Sequence, residues 1–215
     1  MLAGPVILSI VFVLLYVALL FWFGGKSRPL SEAEVDALLA EMRRRAGKQA
    51  LTEESSPLLR QFRKLTKDDD GREYYMVNLL KFRKKALYPE GSQYNDDPMA
   101  ANDRYNRAIV PLLLKHGGFP VFDSVVKGRF IHPDAADDWD HVSMARYRSR
   151  RDMLKMAVEI AGNGSDVHKW ASVEKTQVFP VKPLVNLMFT RAIVAVVLAM
   201  MAILLHLFLS GFKVY

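Results

Sequence analysis

The distribution of charge constrains this chain most. Residues 1–25 contain no Asp, Glu, Lys, Arg or His, and residues 192–212 contain one such side chain, His206. All 23 acidic residues and all but two of the 30 basic ones lie between Lys26 and Lys182. The pattern is that of a polar domain between two apolar segments, which excludes a simple globular enzyme, a polytopic transporter and a disordered tail.

The first apolar run, Pro5 to Phe23, has the length of a single membrane crossing, roughly 28 Å at helical rise. Trp22 stands where an interfacial aromatic belongs. No basic residue precedes the run and no small-residue cleavage pattern follows it, so an uncleaved anchor is expected rather than a signal peptide. The second run, Ala192 to Phe212, lies between Arg191 and Lys213. Ala192, Ala195, Ala199 and Ala202 give it a small-residue face suited to helix packing. His206 reads as a neutral imidazole bonded near the span's end. Two spans place both termini on one side. Lys26, Arg28, Lys182 and Arg191 beside the spans, against Lys213 alone, put the central domain in the cytoplasm. The expected localisation is thus a two-span membrane protein, with anionic lipid headgroups near a chain whose net charge is +7. Mixed charge without a recognised motif excludes nucleic acid as a partner.

The expected domains are a transmembrane helix over 1–25, a helical juxtamembrane segment over 26–72, a folded domain over 73–182 and a second transmembrane helix over 184–213. In the juxtamembrane part, Ser31 and Glu34 form a capping box before one helix, and Ser56-Pro57 starts another. Asp68-Asp69-Asp70-Gly71 reads as a solvated turn. Tyr74 to Phe82 is a strand, Ala100 to Lys115 a helix with Pro111 inside it, and Phe119 to Ile131 a second strand. Trp139 to Tyr147 follows as a third strand. Ser149 caps a helix to about Ala161, a short helix covers Asp166 to Ala171, and Val173 to Val181 is the fourth strand. This order is βαββαβ, an α+β, ferredoxin-like unit with an antiparallel sheet and helices on one face. The other face must be covered by a second copy of the chain, the amino-terminal helices or a ligand.

Tyr75 to Arg83, Tyr105, His116-Gly117-Gly118, Trp139-Asp140 and Arg146-Tyr147-x-Ser149 together resemble the dimeric α+β barrel superfamily, and within it an uncharacterised small-domain family. The resemblance covers about Glu73 to Val181 and implies that two sheets pair face to face. It implies no reaction, since the superfamily holds monooxygenases, isomerase-like enzymes, haem proteins and members without known activity. In its haem-degrading monooxygenases a strand asparagine, a tryptophan and a histidine line the site. Asn78 and His168 match the first and third, while Met153 to Ala161 contains no tryptophan.

Catalytic candidates are therefore Asn78, His141, Tyr147 and His168. Asn78 stands among apolar neighbours and needs hydrogen-bond partners. His141 could act as a base near neutral pH. His141, Ser143, Ala145 and Tyr147 share one strand face, and Val142 and Met144 the other. The apolar face is expected against the helices and the polar one at a cavity or partner. The chain has no cysteine, and its histidines lack ligand spacing, so no metal site and no cofactor are expected. The expected function is a membrane-anchored accessory or structural subunit of a larger membrane complex, with other membrane subunits or a second copy of itself as partners. The alternative is a membrane-tethered barrel enzyme or small-molecule binder, monooxygenase-like.

Overall fold

The computed structural model describes residues 21–24, 28–47, 52, 55–94, 96–131 and 138–184, with 14, 17–18, 193, 196–198, 200–201 and 203–204 in isolated helical pieces. Residues 1–182 form one compact unit and residues 183–215 a second.

Helix α1, Glu32–Arg45, begins as its sequence dictates. Ser31 accepts from the Glu34 backbone, and Glu34 returns a bond to the Ser31 N–H. Helix α2, Pro57–Thr66, starts on Ser56 with Pro57 in its first turn. Strand β1, Tyr74–Phe82, leads to helix α3, Pro98–Lys115, which is capped by Asp97 and carries Pro111 within it. Strands β2, Phe119–Val125, and β3, His141–Tyr147, follow. Helix α4, Arg150–Asn163, is capped by Ser149, and the short helix α5, Asp166–Ser172, runs into strand β4, Val173–Val181. The fold class is α+β, with one four-stranded antiparallel sheet in the order β2-β3-β1-β4.

Gly118 sets the distance between α3 and the sheet. A Cβ there would stand 2.5 Å from the Leu113 side chain and 2.6 Å from the Arg146 carbonyl, so only glycine permits this approach.

The register separates two faces. Tyr74, Met76 and Leu80 of β1 share a face with His141, Ser143 and Tyr147 of β3. These three β1 residues are only 3, 8 and 8 % exposed. The α4 residue Arg150 lies over the Tyr74 ring, and Tyr105 of α3 is close enough to influence the Tyr147 phenol. The helices therefore cover this face, which is the polar face of β3. The expected arrangement is reversed. Val142 and Met144 stand on the opposite face.

A second cluster lies between helices. Val35, Leu39 and Met42 of α1 and Leu59 of α2 pack on Leu154, Ala157 and Val158 of α4. Helices α1 and α2 thus cover the helix layer and leave the second sheet face uncovered by them. The expected solvated turn at 68–71 also differs. The Asp69 side chain is 3 % exposed and accepts from the backbone N–H groups of Leu30 at 2.7 Å and Gly71 at 3.0 Å.

The flanking transmembrane helices require correction. Among the described residues, no helix is long and apolar enough to cross a membrane. The two-span membrane localisation falls with them, as do the cytoplasmic placement of the domain, the placement of both termini opposite it and the reading of the chain as a barrel domain between two spans. The physical reason is visible at Trp22, expected as an interfacial anchor. Its indole donates to the Leu114 carbonyl at 3.1 Å and its ring stacks on Phe119, so its apolar surface meets the chain's own sheet. Ala192, Ala195, Ala199 and Ala202, with His206, lie outside the described residues.

Candidate functional site

Pairing across all four strands builds one apolar row on the face away from the helices. Phe122 of β2 pairs with Met144 of β3, Met144 with Val77 of β1, and Val77 with Phe179 of β4. The next row runs Ser124, Val142, Leu79 and Gln177. Phe122 and Phe179 are 44 and 36 % exposed, and Val77, Leu79, Val142 and Met144 are each half-buried. At one edge Lys81 donates to Asp140 at 3.0 Å, while Asp140 also accepts from the Phe82 N–H at 2.8 Å. Asp140 is therefore the anchor that begins the β1–β3 ladder. The result is an apolar row across the sheet with an ion pair, Lys81–Asp140, at one edge.

The face beneath the helices carries three of the four expected residues. Asn78 lies between Ser143 and Val178, and its amide donates to the Met76 carbonyl at 3.3 Å. One row on, His141 and Thr176 flank Leu80. His141 Nε2 donates to Asp123 Oδ1 at 2.5 Å, and the Phe82 ring meets the imidazole edge-on. His141 Nδ1 and Thr176 Oγ1 are both buried and have no hydrogen-bond partner among the described residues. Tyr147 stacks on Tyr74 with ring centroids 5.6 Å apart. Burial, with the neighbouring Tyr105, pushes its phenol well above the usual range. Tyr105 itself is pushed up to about 12, by burial first and by Asp166 second. These phenols hold their protons at neutral pH and behave as packed, neutral groups.

His168 stands apart, on α5. No hydrogen bond or ring contact joins it to Asn78, His141 or Tyr147 among the described residues. Its Nδ1 is 2.9 Å from the Tyr88 hydroxyl, its ring meets Tyr94 edge-on at 4.8 Å, and Arg104 donates to the same hydroxyl at 3.4 Å. Arg104 also lies 5.0 Å over the Tyr94 ring. Burial, and then the Arg104 charge, lowers the His168 pKa. The neutral ring with a bare Nδ1 accepts a hydrogen bond from the Tyr88 hydroxyl, whose oxygen in turn accepts one from Arg104. Sequence reasoning missed Tyr88, Tyr94 and Arg104, because they come from a loop and from α3, far from His168 in the chain. Next to this group Lys169 lies 5.5 Å from the Tyr105 ring and 5.9 Å from the Trp170 ring, and burial lowers its pKa.

Elsewhere, a concavity of about 440 Å³ is lined by Arg45, Leu112, Glu159, Gly162 and Asn163 and holds none of the four expected residues. Glu159 is engaged there by Lys115 and His116. These contacts, Lys115 first, outweigh its burial and lower its pKa. No group of three or more potential ligands is placed to hold a metal ion among the described residues.

No protein-family model matches the chain, and no curated protein does. Two solved structures do. The crystal structure of RPA0582, a Rhodopseudomonas palustris protein of unknown function, is 27 % identical with a TM-score of 0.52, over 63 % of this chain and 96 % of that one. The crystal structure of methylated RPA0582 is 28 % identical with a TM-score of 0.52, over 63 % of this chain and 94 % of that one. Nearly the whole length of that protein is thus matched by part of this chain, and what the two share is the α+β fold.

Proposed function

We propose that the chain is an accessory or structural protein that works through a ferredoxin-like βαββαβ interaction domain, and that the uncovered sheet face binds a second copy. The strand order β2-β3-β1-β4, with each neighbour antiparallel, supports the ferredoxin-like reading. The observation that carries the functional reading is the row Phe122, Met144, Val77 and Phe179, which crosses the sheet on the face that α1 to α5 leave open among the described residues. Contiguous exposed apolar rows of this kind mark association sites. A twofold pairing lays the same row against itself and needs no second complementary surface.

Sedimentation of the full chain tests the reading. A dimer is expected, and Met144→Glu should give a folded monomer. A wild-type protein that stays monomeric at its highest soluble concentration would overturn it.

A second reading, a small-molecule binder or monooxygenase-like enzyme, has one observation in its favour. Two buried polar atoms without partners among the described residues, His141 Nδ1 and Thr176 Oγ1, share one row beneath the helices. A ligand there would bond both. Absence of any ligand-induced shift in the His141 ring signals across a panel of small polar aromatics would count against it.

A further inference from the structure

The β3–α4 corner reads Arg146-Tyr147-Arg148-Ser149-Arg150-Arg151, a run that looks like a solvated basic surface. Three of its four arginines, Arg146, Arg148 and Arg151, instead reach residues 22–29. Arg146 is 1 % exposed. It donates to Glu73 at 2.6 Å, to the Gly117 carbonyl at 3.0 Å and to the Phe23 carbonyl at 2.8 Å. Arg148 donates to the Trp22 carbonyl at 3.0 Å and is held in place by two bonds of 2.8 Å to Asp152. Trp22 and Phe23 belong to the helical piece 21–24. Two guanidinium groups thus bond two consecutive backbone carbonyls of this piece.

The side chains complete the fit. The Arg146 guanidinium lies 3.6 Å over the Phe23 ring, both Trp22 and Phe23 meet Phe119 at 6.1 Å, and the Trp22 indole donates to Leu114. A second anchor follows a few residues on. Arg151 donates to the carbonyls of Arg28 at 2.8 Å and Pro29 at 3.0 Å. Gly71 lets that segment pass, because a Cβ there would stand 2.5 Å from the Arg28 backbone.

We infer that Arg146 and Arg148 form a clamp that recognises the Trp22–Phe23 backbone and its aromatic side chains, so that residues 22–24 are a strap fixed to the sheet. The surface is an interaction site whose partner is a short helical piece bearing two aromatic residues, and the chain supplies that partner itself. The strap closes the sheet's second face at the Phe119–Arg146 row only. It ends one row short of the surface assigned above to self-association and does not depend on it.

Exchange of indole protons in the full-length chain tests this. The chain has three tryptophans, so three indole signals are expected, and loss of one in Trp22→Phe assigns it. The Trp22 indole should exchange with D₂O more slowly than that of Trp170, which is 54 % exposed. Arg148→Gln removes a charge-assisted bond from the clamp and should speed that exchange by about tenfold or more, leaving Trp139 and Trp170 unchanged. Trypsin cleavage after Lys26 should quicken in the same variant. Arg146→Gln should act more strongly, and Arg148→Gln keeps the test intact if that variant fails to fold. Trp22 exchange as fast as Trp170 in the wild type, or unmoved by Arg148→Gln in a folded protein, overturns the clamp.

Discussion

The two faces of the sheet are built from the same four strands, yet they meet different neighbours. Beneath the helices stand Tyr74, Met76 and Leu80, with His141, Ser143 and Asn78 among them. On the other side stand Val77, Leu79, Val142 and Met144, which are more uniformly apolar and less buried. The face with more polar groups is the one enclosed. Hydrophobicity therefore did not choose the covered face.

The largest expected effect sharpens this contrast. Leu80→Ala, on the enclosed face, should cost about 2–5 kcal/mol of folding stability. Val77→Ala, three residues away on the open face, should cost about 1 kcal/mol or less at concentrations where the chain is monomeric. Urea denaturation of both variants measures the difference. Equal losses would mean that the second face is as enclosed as the first.

Association should respond in the opposite sense. Met144→Glu places a carboxylate at the centre of the open row, where a twofold pairing would bury it against its own copy. Self-association should weaken by about a hundredfold, while stability moves by about 0.5–1 kcal/mol. Sedimentation and urea denaturation on one preparation read both quantities. A large stability loss with unchanged association would reverse the roles assigned to the two faces.

Much of this fold was legible one element at a time. The strand Tyr74–Phe82 is rich in β-formers and lies between polar turns, and the caps at Ser31 and Ser149 are chemical statements about the next three residues. Which face of β3 would be covered was not legible, because alternation distinguishes two faces without saying what packs on either. The arginine corner was opaque for a related reason. Its partners at residues 22, 23, 28 and 29 lie over a hundred positions away, and no local pattern marks a guanidinium that will bond a remote carbonyl. The apolar run before Gly24 carried a third ambiguity. It announces surface that avoids water, and the Trp22 and Phe23 contacts with Phe119 show one neighbour that can provide it. Within the candidate site, Asn78, His141 and Tyr147 were found on one face of the sheet. His168 was found without its companions, which only the tertiary fold assembles.

The next effect distinguishes the two faces by acid. Asp152 is desolvated, which alone would raise its pKa, but the Arg148 and Ser149 hydrogen bonds outweigh this and lower it. Glu34 is brought to about 2, chiefly by the Ser31 backbone, against partial desolvation and with help from Arg151. A carboxylate lowered by folding stabilises the native state above its unfolded pKa, near 4, and loses that contribution as pH falls through its folded value. Acid should therefore loosen the corner that holds residues 22–34 before it affects the apolar row. Between pH 5 and 2.5 the exchange of the Trp22 indole should rise, and Asp152→Asn should flatten that rise. An indole equally protected at both pH values would show that these carboxylates do not support the clamp.

The smallest effect belongs to His168, at the α3–α5 edge. Burial and the Arg104 charge hold its folded pKa below the ordinary histidine value of 6.5. In the unfolded chain the imidazole takes a proton as pH drops through that value, whereas in the folded chain it stays neutral until lower pH. The unfolded state then binds more protons, so acidification favours unfolding. The stability due to the neutral ring is complete above pH 6.5 and declines as pH falls toward the folded pKa. Below that pKa the folded ring is charged beside Arg104, and the Tyr88 hydroxyl has lost its acceptor at Nδ1. His168→Gln keeps a polar group facing Tyr88 and removes the titration. It should reduce the fall in urea midpoint between pH 7 and pH 5.5, with little change at pH 7.5. His168 lies on α5 and not on the open face, so association measured over the same pH range should not respond to the substitution. A change in association instead of stability would place this histidine at the interface and redraw the boundary between the two regions.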